Sequence, residues 1–488
     1  MKSTKIIIQL SFILAALLLI PSCAVNPVTG KKQLMLFSEK QELQMGKEYD
    51  PQVIATFGLY EDEELSGFIS EKGKAMGEIS HRPELEYHFR VLDSPVVNAF
   101  AVPGGYVYFT RGILAQFNNE AELAGVLGHE IGHITARHTV SQQSKQQIGQ
   151  LLLVGGMIAS EEFRQFADYA MQGMQLLFLK YGRDAERQSD RLGVEYSTRI
   201  GYDSKEMADF FQVLHKQRLE SNSGGVPTFL STHPDPADRY ERVHQLTEFW
   251  QDSIPLSSYS VNTNDYLRMI DGIVYGEDPR QGYVEGNTFY HPELRFKYPI
   301  PSGWRLQNMP SQVQMAPEDG SALMIFTLSQ QKNLEEAAQQ TAKDLNLEVL
   351  DMKRATVNGM SAIATVSQQT SQNQQSGEEQ TIKVLSYFID YGGRIFIFHG
   401  VTSEAGYSDY IRVFETTMVN FDRLSDPSKL NVEPMRIRVK EVQQSATVDE
   451  VFRYYGVPSE MRGELALLNN MELNDRVSTG ELIKIISE

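Results

Sequence analysis

The chain is organised around residues 119–138, which read Asn-Glu-Ala-Glu-Leu-Ala-Gly-Val-Leu-Gly-His-Glu-Ile-Gly-His-Ile-Thr-Ala-Arg-His. Asn119 with Glu122 three residues later is typical of a helix N-terminus. Apolar residues then recur at helical spacing, namely Leu123, Val126, Leu127, Ile131 and Ile134. The stretch therefore predicts one helix with an apolar face and an opposite face that carries polar side chains.

The polar face carries two histidines four residues apart, His129 and His133. Side chains at this spacing point only about 40° apart on a helix, so both imidazoles can reach one metal ion, and zinc suits such ligands. Glu130 follows the first histidine, and in the H-E-x-x-H arrangement this carboxylate lies beside a metal-bound water whose proton it takes. The pattern indicates peptide hydrolysis with one zinc ion per chain. The alternative is a chance match on an ordinary amphipathic helix.

A zinc peptidase needs a third protein ligand. The metzincin pattern would place glycine at position 136 and histidine at position 139, but the chain has Ala136 and Thr139 there. His138 lies about 140° round the helix from His133, so we expect it on the flank of the helix and not at the metal.

A better candidate lies downstream, where residues 181–193 begin another helical pattern. Glu186 and Asp190 are four residues apart, so one helix face can supply a metal ligand, Glu186, and a carboxylate, Asp190, that orients a ligand histidine. For this segment alone, the alternative is a solvated face of mixed charge.

Four motifs in this order resemble those of the HtpX- and BepA-like zinc endopeptidases of metallopeptidase family forty-eight, kin of the CAAX prenyl proteases. The motifs are Asn-Ala-Phe-Ala-Val-Pro-Gly-Gly-Tyr-Val-Tyr at 98–108, His-Glu-Ile-Gly-His at 129–133, the Glu186/Asp190 helix, and Ser-Thr-His-Pro at 231–234. The resemblance extends over residues 26–250. It implies a mainly helical zincin domain of the gluzincin type with a small sheet. It also implies that His129, His133 and Glu186 bind zinc and that Glu130 is the base.

The same resemblance brings His233 to the metal from a loop. There His233 could stabilise the oxyanion of the tetrahedral intermediate, or it could occupy the open coordination position as a removable fourth ligand. The family's usual Glu-Ala-Asp ending is replaced here by Gln188-Ser189-Asp190. The contacts around Asp190 are therefore expected to differ from those of the family, while the role of Glu186 is not affected.

Length and charge exclude some classes of protein. A chain of 488 residues is long for one core, so two to four domains are expected. The 45 basic and 63 acidic residues give a formal net charge of −18, and no basic block of any length is present. This balance argues against a nucleic-acid partner.

The first residues are typical of a signal peptide. Lys2 and Lys5 precede an apolar run at 6–20, and Pro21-Ser22-Cys23 follows it. This ending resembles a bacterial lipobox, which implies cleavage before Cys23 and a lipid on its sulfur. A plain secretory signal with an incidental cysteine is the alternative, and it would give a soluble secreted peptidase.

Two further segments leave alternatives open. The apolar run within residues 151–180 is too short to cross a bilayer, so it could be core, touch the membrane, or form a lid hinged at Gly155-Gly156. The strand expected at 106–110 could lie at a sheet edge and bind an extended substrate, or it could be an internal strand packed on the catalytic helix.

The whole chain is expected to be α+β. The predicted parts are a signal peptide at 1–22, a polar tether at 23–37, the zinc metallopeptidase domain at 38–252, an α+β accessory domain with an antiparallel sheet at 253–426, and a small βααβ domain at 433–488. The last part resembles a divergent LysM domain through residues 467–470 and 480–485, although the usual Gly-Asp-Thr-Leu is replaced by Ser-Ala-Thr-Val at 445–448. It could bind peptidoglycan or be purely structural.

These observations favour a zinc metalloendopeptidase of the bacterial cell envelope. It would be lipid-anchored at the outer membrane, face the periplasm, and cleave unfolded or misassembled envelope proteins. The alternative is a chaperone or cell-wall-binding scaffold whose zinc site is gated or idle.

Overall fold

The computed structural model describes residues 23–144, 180–220, 228–233, 239–372 and 379–488. The predicted signal peptide at 1–22 and the apolar segment at 151–179 lie outside these residues, so the alternatives stated for them stay open. Within the described ranges, no helix is both long enough and apolar enough to span a bilayer. A mainly helical part is followed along the chain by a part dominated by antiparallel sheets, which is consistent with the α+β class.

The peptidase part is mainly helical. Its helices are α1 (Glu39–Phe57), α2 (Glu63–Glu78), α3 (Arg111–Gln116), α4 (Glu120–Thr135), α5 (Arg183–Arg199), α6 (Glu206–Glu220), α7 (Thr228–Thr232) and α8 (Arg239–Ser253). The predicted start of α4 is confirmed, because the side chain of Asn119 accepts a hydrogen bond from the backbone N–H of Glu122 at 2.8 Å. Every residue of α4 is buried, so this helix lies inside the core instead of at its surface.

A three-stranded sheet lies beside these helices. It has the order β3 (His88–Leu92), β5 (Tyr106–Thr110), β4 (Ala99–Val102), with β3 parallel and β4 antiparallel to β5. The strand β5 is therefore central, and of the two alternatives for residues 106–110 the internal strand is the observed one. All five of its residues are buried, so it contributes to the core on both faces.

Residues 23–37, predicted to be a tether, fold onto the peptidase core. Strands β1 (Cys23–Val25) and β2 (Lys32–Leu34) form a hairpin. The side-chain amides of Asn26 and Gln33 both donate to the carbonyl of Ala136 at 3.2 Å. Since the last carbonyls of a helix have no partner within it, the hairpin supplies donors that α4 lacks at its C-terminal end.

The accessory part contains two antiparallel sheets and a hydrophobic core of its own. The larger sheet has the order β12 (Glu348–Val357), β13 (Met360–Gln372), β14 (Glu379–Tyr391), β15 (Arg394–Ser403), β11 (Ala322–Leu328), β10 (Gln312–Pro317), β9 (Trp304–Met309). The smaller has the order β16 (Asp422–Arg423), β8 (Phe296–Pro299), β7 (Thr288–His291), β6 (Tyr283–Glu285). Helices α10 (Leu334–Asp344) and α11 (Tyr407–Val419) pack on the larger sheet, and the short helix α12 (Pro427–Leu430) follows β16.

The C-terminal part has the predicted order of strand, helix, helix and strand. Its main elements are β17 (Arg436–Glu441), α13 (Val448–Tyr454), α14 (Ser459–Leu468) and β20 (Leu482–Ser487), and β17 pairs antiparallel with β20. The short strands β18 (Ala446–Thr447) and β19 (Arg476–Val477) pair with each other. Its apolar side chains form one continuous core with those of the peptidase part.

The segment between the peptidase and accessory parts belongs to this shared core. Helix α9 (Thr263–Met269) packs in the core, and the next residues hydrogen-bond to β17, with Ile437 donating to the carbonyl of Ile273 at 2.9 Å. The boundary predicted at 252/253 therefore falls before the accessory sheets begin at Tyr283. Residues 263–275 join the peptidase and C-terminal parts.

Candidate metal centre

Two glycines bring α4 and α5 into close contact. A Cβ atom added at Gly128 would lie 2.9 Å from the carbonyl oxygen of Gly193, closer than real Cβ atoms approach. With no side chain at either position, the backbones of the two helices touch at this crossing. His129 on α4 and Glu186 on α5 therefore reach a common point.

The donor atoms of four side chains converge there. The Nε2 atoms of His129 and His133 are 3.0 Å apart. The carboxylate of Glu186 lies 3.5 Å from the Nε2 atom of each histidine. Nδ1 of His233 lies 3.2 Å from both Nε2 of His129 and Oε1 of Glu186. All four side chains are buried, and in the described ranges they form the group of donors that could hold a metal ion.

These spacings fit zinc. A tetrahedral zinc ion about 2.0–2.1 Å from each nitrogen or oxygen ligand separates those ligands by roughly 3.3–3.4 Å. The measured separations of 3.0–3.5 Å bracket that value. A cation between these buried nitrogen and oxygen atoms would offset the repulsion between their lone pairs.

Glu130 lies next to these donors and does not belong to the group. Its Oε1 atom is 3.6 Å from Nε2 of His233. Within the described part of the chain, neither of its carboxylate oxygens has a hydrogen-bond partner, although both are buried. Burial raises the pKa of Glu130, and the positive charges of His233 and His129 only partly oppose this. A carboxyl with a raised pKa in a buried site suits proton transfer near neutral pH.

Two of the proposed ligands, His133 and Glu186, have pKa values shifted towards their metal-binding forms. Burial and three neighbouring histidines hold the pKa of His133 well below its usual range, so its imidazole is neutral. Burial alone would raise the pKa of Glu186, but the charge of His233 and its hydrogen bond outweigh burial, and that pKa is lowered. A neutral imidazole and an ionised carboxylate are the forms that bind metals.

Asp190 occupies the predicted position. Its Oδ1 atom lies 3.0 Å from Nδ1 of His129, on the side of the ring away from the other donors. Two arginines of α8 hold the same carboxylate: Arg239 donates to Oδ1 at 2.6 Å and Arg242 to Oδ2 at 2.7 Å. Burial opposes ionisation of Asp190, but Arg239 and His129 outweigh it and lower the pKa. The interpretation of this face as solvated is therefore wrong, since Glu186 and Asp190 are fully buried.

The sequence did not indicate three residues of this site. Arg239 and Arg242 lie three residues apart on one face of α8, a spacing that could have indicated a shared carboxylate partner. Tyr181 stacks on the ring of His133 with 3.9 Å between ring centroids. Its hydroxyl lies 2.8 Å from Oγ1 of Thr139. No pattern in the sequence connects Tyr181 with His133.

One predicted placement needs correction. His233 lies just past the end of the short helix α7, with its backbone N–H bonded to the carbonyl of Phe229 at 2.8 Å. His138 lies outside the donor group, as predicted, but not on an exposed flank. It is buried, and its Nδ1 atom lies 3.1 Å from Nδ1 of His133. The reason is that α4 ends at Thr135 and Arg137 has a left-handed backbone with φ 57°, which interrupts the helical path before His138.

Two histidines four residues apart on one helix, a glutamate from the next helix and an adjacent buried carboxylate define a zinc metallopeptidase centre. Residues 65–247 match the model of Peptidase family M48. This part of the chain is an M48 peptidase domain, and its metal is zinc. The resemblance inferred from the four motifs is thereby confirmed at the level of the family.

Curated relatives agree with this assignment. The chain is 29% identical to "Beta-barrel assembly-enhancing protease" of Yersinia pestis, over 47% of this chain and 49% of that protein. It is 28% identical to the protein of the same name from Escherichia coli (strain K12), over 45% of this chain and 47% of that protein. It is 28% identical to "Mitochondrial metalloendopeptidase OMA1" of Arabidopsis thaliana, over 38% of this chain and 37% of that protein. The chain spans about half the length, or less, of these relatives.

Proposed function

We propose that this chain is a zinc metalloendopeptidase of the bacterial cell envelope that hydrolyses peptide bonds in unfolded or misassembled proteins. The observation that carries the proposal is the buried group of His129, His133, Glu186 and His233, with the carboxylate of Glu130 beside it. His129, His133 and Glu186 are the proposed zinc ligands of a zincin domain, and Asp190 orients His129.

Zinc, when bound, supplies a Lewis acid that polarises the scissile carbonyl and lowers the pKa of a water molecule. Glu130 then acts as the base: it removes a proton from the attacking water and later returns it to the leaving amine. Burial raises the pKa of Glu130, which favours proton uptake by its carboxylate. Burial of the site excludes bulk water and strengthens each of these interactions.

His233 has a position that suits a removable fourth ligand better than an oxyanion donor. Its Nδ1 atom lies at ligand spacing from His129 and Glu186, at 3.2 Å from each. A catalytic zinc keeps one position open for water or substrate, whereas four protein ligands close it. The described arrangement is therefore proposed to be a resting state, which becomes active when His233 moves away.

The location in the envelope is part of this proposal. It is supported by the signal-like residues 1–22, by Cys23 directly after them, and by the names of the relatives from Yersinia pestis and Escherichia coli, which refer to β-barrel assembly. The proposed partners are unfolded envelope proteins and, through a lipid on Cys23, the outer membrane on its periplasmic side. The hairpin at 23–34 contacts the end of the catalytic helix, so such an anchor would hold the active site near the membrane.

The C-terminal part at 433–488 is proposed to be a LysM-like fold whose main role is structural. Its order of elements supports the likeness, and its shared core with the peptidase part supports the structural role over peptidoglycan binding. The accessory part at 283–424 is proposed to recognise clients or scaffold them.

The test compares the chain from residue 23 onward, with Cys23→Ser, with the same chain carrying Glu130→Gln. We expect both to bind about one zinc ion and only the first to cleave unfolded casein, because the amide cannot take a proton. If neither cleaves, His233→Ala decides between a closed peptidase and the alternative of a scaffold with an idle site. Cleavage by that variant supports the closed peptidase, and its absence supports the scaffold.

A further inference from the structure

We propose that His138 is the positioning residue of the zinc ligand His133, acting through a relay to Gln188. This inference rests on the proposed function, because it concerns how the peptidase holds its metal. It assigns a role to a histidine that lies outside the donor group and that helical spacing alone placed away from the metal.

The path of the chain explains how His138 reaches His133. On a continuous helix the two residues would point about 140° apart. Helix α4 ends at Thr135, however, and the left-handed backbone of Arg137 interrupts the helical path before His138. His138 is thereby returned to the ring of His133, with 3.1 Å between their Nδ1 atoms. An arginine in this conformation is uncommon, and here two contacts hold it: Nε of Arg137 donates to Glu42 at 2.7 Å and Nη2 to the carbonyl of Phe37 at 3.3 Å.

A count of protons fixes the direction of the relay. His133 directs Nε2 towards the other donors, so a metal there leaves the ring proton on Nδ1. The acceptor that the described part of the chain places at this nitrogen is Nδ1 of His138. His138 must then carry its own proton on Nε2, which lies 3.1 Å from the side-chain oxygen of Gln188. That amide oxygen selects the tautomer of His138 and, through it, the tautomer of His133.

The two helical ligands are therefore oriented by different chemistry. His129 is held by the ionised carboxylate of Asp190, whereas His133 is held by a neutral imidazole and an amide. The hydroxyl of Ser189 lies 3.2 Å from Nδ1 of His138, the same nitrogen that faces His133, so from α5 the relay depends on Gln188 at Nε2. Gln188 and Ser189 are the positions at which this chain departs from the Glu-Ala-Asp pattern of the family. The departure places neutral groups around His138.

The test measures the zinc dissociation constant of the full chain from residue 23 by competition with a chromogenic chelator. We expect His138→Ala to weaken zinc binding about 10–100-fold, the usual effect of removing a group that orients a metal ligand. His215→Ala, which removes a half-buried histidine of α6 whose Nδ1 atom lies 3.2 Å from Arg218, should leave the constant unchanged. His138→Asn should restore part of the affinity, since its side-chain oxygen can accept the same proton.

A second comparison separates positioning from a structural role. Gln188→Leu should weaken zinc binding in the parent chain and have no further effect in the His138→Ala background, because Gln188 acts through His138. Additive losses, or unchanged zinc binding in His138→Ala, would overturn the relay. If His138→Ala does not fold, an unchanged zinc dissociation constant in Gln188→Leu would also overturn the relay. Absence of zinc from the parent chain would instead overturn the proposed function.

Discussion

Nζ of Lys484 lies 3.1 Å from the carbonyl oxygen of Ala115, although 369 residues separate them in sequence. The same amino group contacts the carbonyls of Gln116 and Phe117 at 3.2 and 3.1 Å, and burial lowers its pKa to about 7. These three carbonyls end α3 and precede the N-cap of the catalytic helix α4. A strand at the end of the sequence thus holds the start of the helix that carries the zinc ligands.

Lys484→Met should destabilise the chain by about 3 kcal/mol or more, because it removes the one group that donates to all three buried carbonyls. Methionine keeps most of the volume, so the loss would reflect hydrogen bonds and charge more than a cavity. The urea midpoint of unfolding measures the effect, and Lys440→Met on the neighbouring strand β17 is the control, with little change expected. Equal midpoints for the two variants would show that the C-terminal part does not support the peptidase part.

Gly128→Ala should reduce both stability and zinc binding, since its Cβ would lie 2.9 Å from the carbonyl of Gly193 and force α4 and α5 apart. Overpacking of this kind costs roughly 1–3 kcal/mol. The matched control is Gly67→Ala on α2, where a Cβ would meet nothing within 4 Å. There the better helix propensity of alanine should raise the thermal midpoint slightly. Thermal unfolding and zinc stoichiometry check both variants, and a stabilising effect at position 128 would contradict the close approach.

Arg239→Met should weaken zinc binding about 10-fold or more, because Asp190 then loses the buried cation that fixes it against His129. The stem of methionine can still pack on Phe211, over which the guanidinium lies at 3.7 Å. Arg242→Met is the matched variant. The native Arg242 contacts the other oxygen of Asp190 and is partly exposed, so a smaller loss of zinc affinity is expected. Chelator competition measures the zinc affinity of the two variants. A larger loss in Arg242→Met than in Arg239→Met would refute the role of Arg239 in fixing Asp190.

Acid should destabilise the accessory part. Burial lowers the pKa of His399 from 6.5 to about 4. Between these values the unfolded state binds a proton that the folded state does not, so stability is full above about pH 6.5 and falls as the pH approaches 4. A shift of this size corresponds to about 3 kcal/mol. Denaturant midpoints at several pH values should show a shallower slope for His399→Gln, which stays neutral, than for the parent chain. If the midpoints of both proteins change with pH by the same amount, His399 is not the source of the acid destabilisation.

The features that depend on local spacing could be predicted from the sequence. A period of four residues placed His129 and His133 together, and the same period placed Glu186 with Asp190, because helix geometry is fixed by the backbone. The N-cap at Asn119, the antiparallel accessory sheet and the C-terminal strand-helix-helix-strand order follow from local signals of the same kind.

Only the tertiary structure decided which distant groups meet. Arg239 and Arg242 reach Asp190, Lys484 reaches the start of α4, and the hairpin at 23–34 caps its end, in each case because a buried charge or an unpaired carbonyl requires a partner from another element. His138 was misplaced for a related reason, since one left-handed residue after α4 redirects the chain. Such pairings depend on packing between helices, which has no period along the sequence.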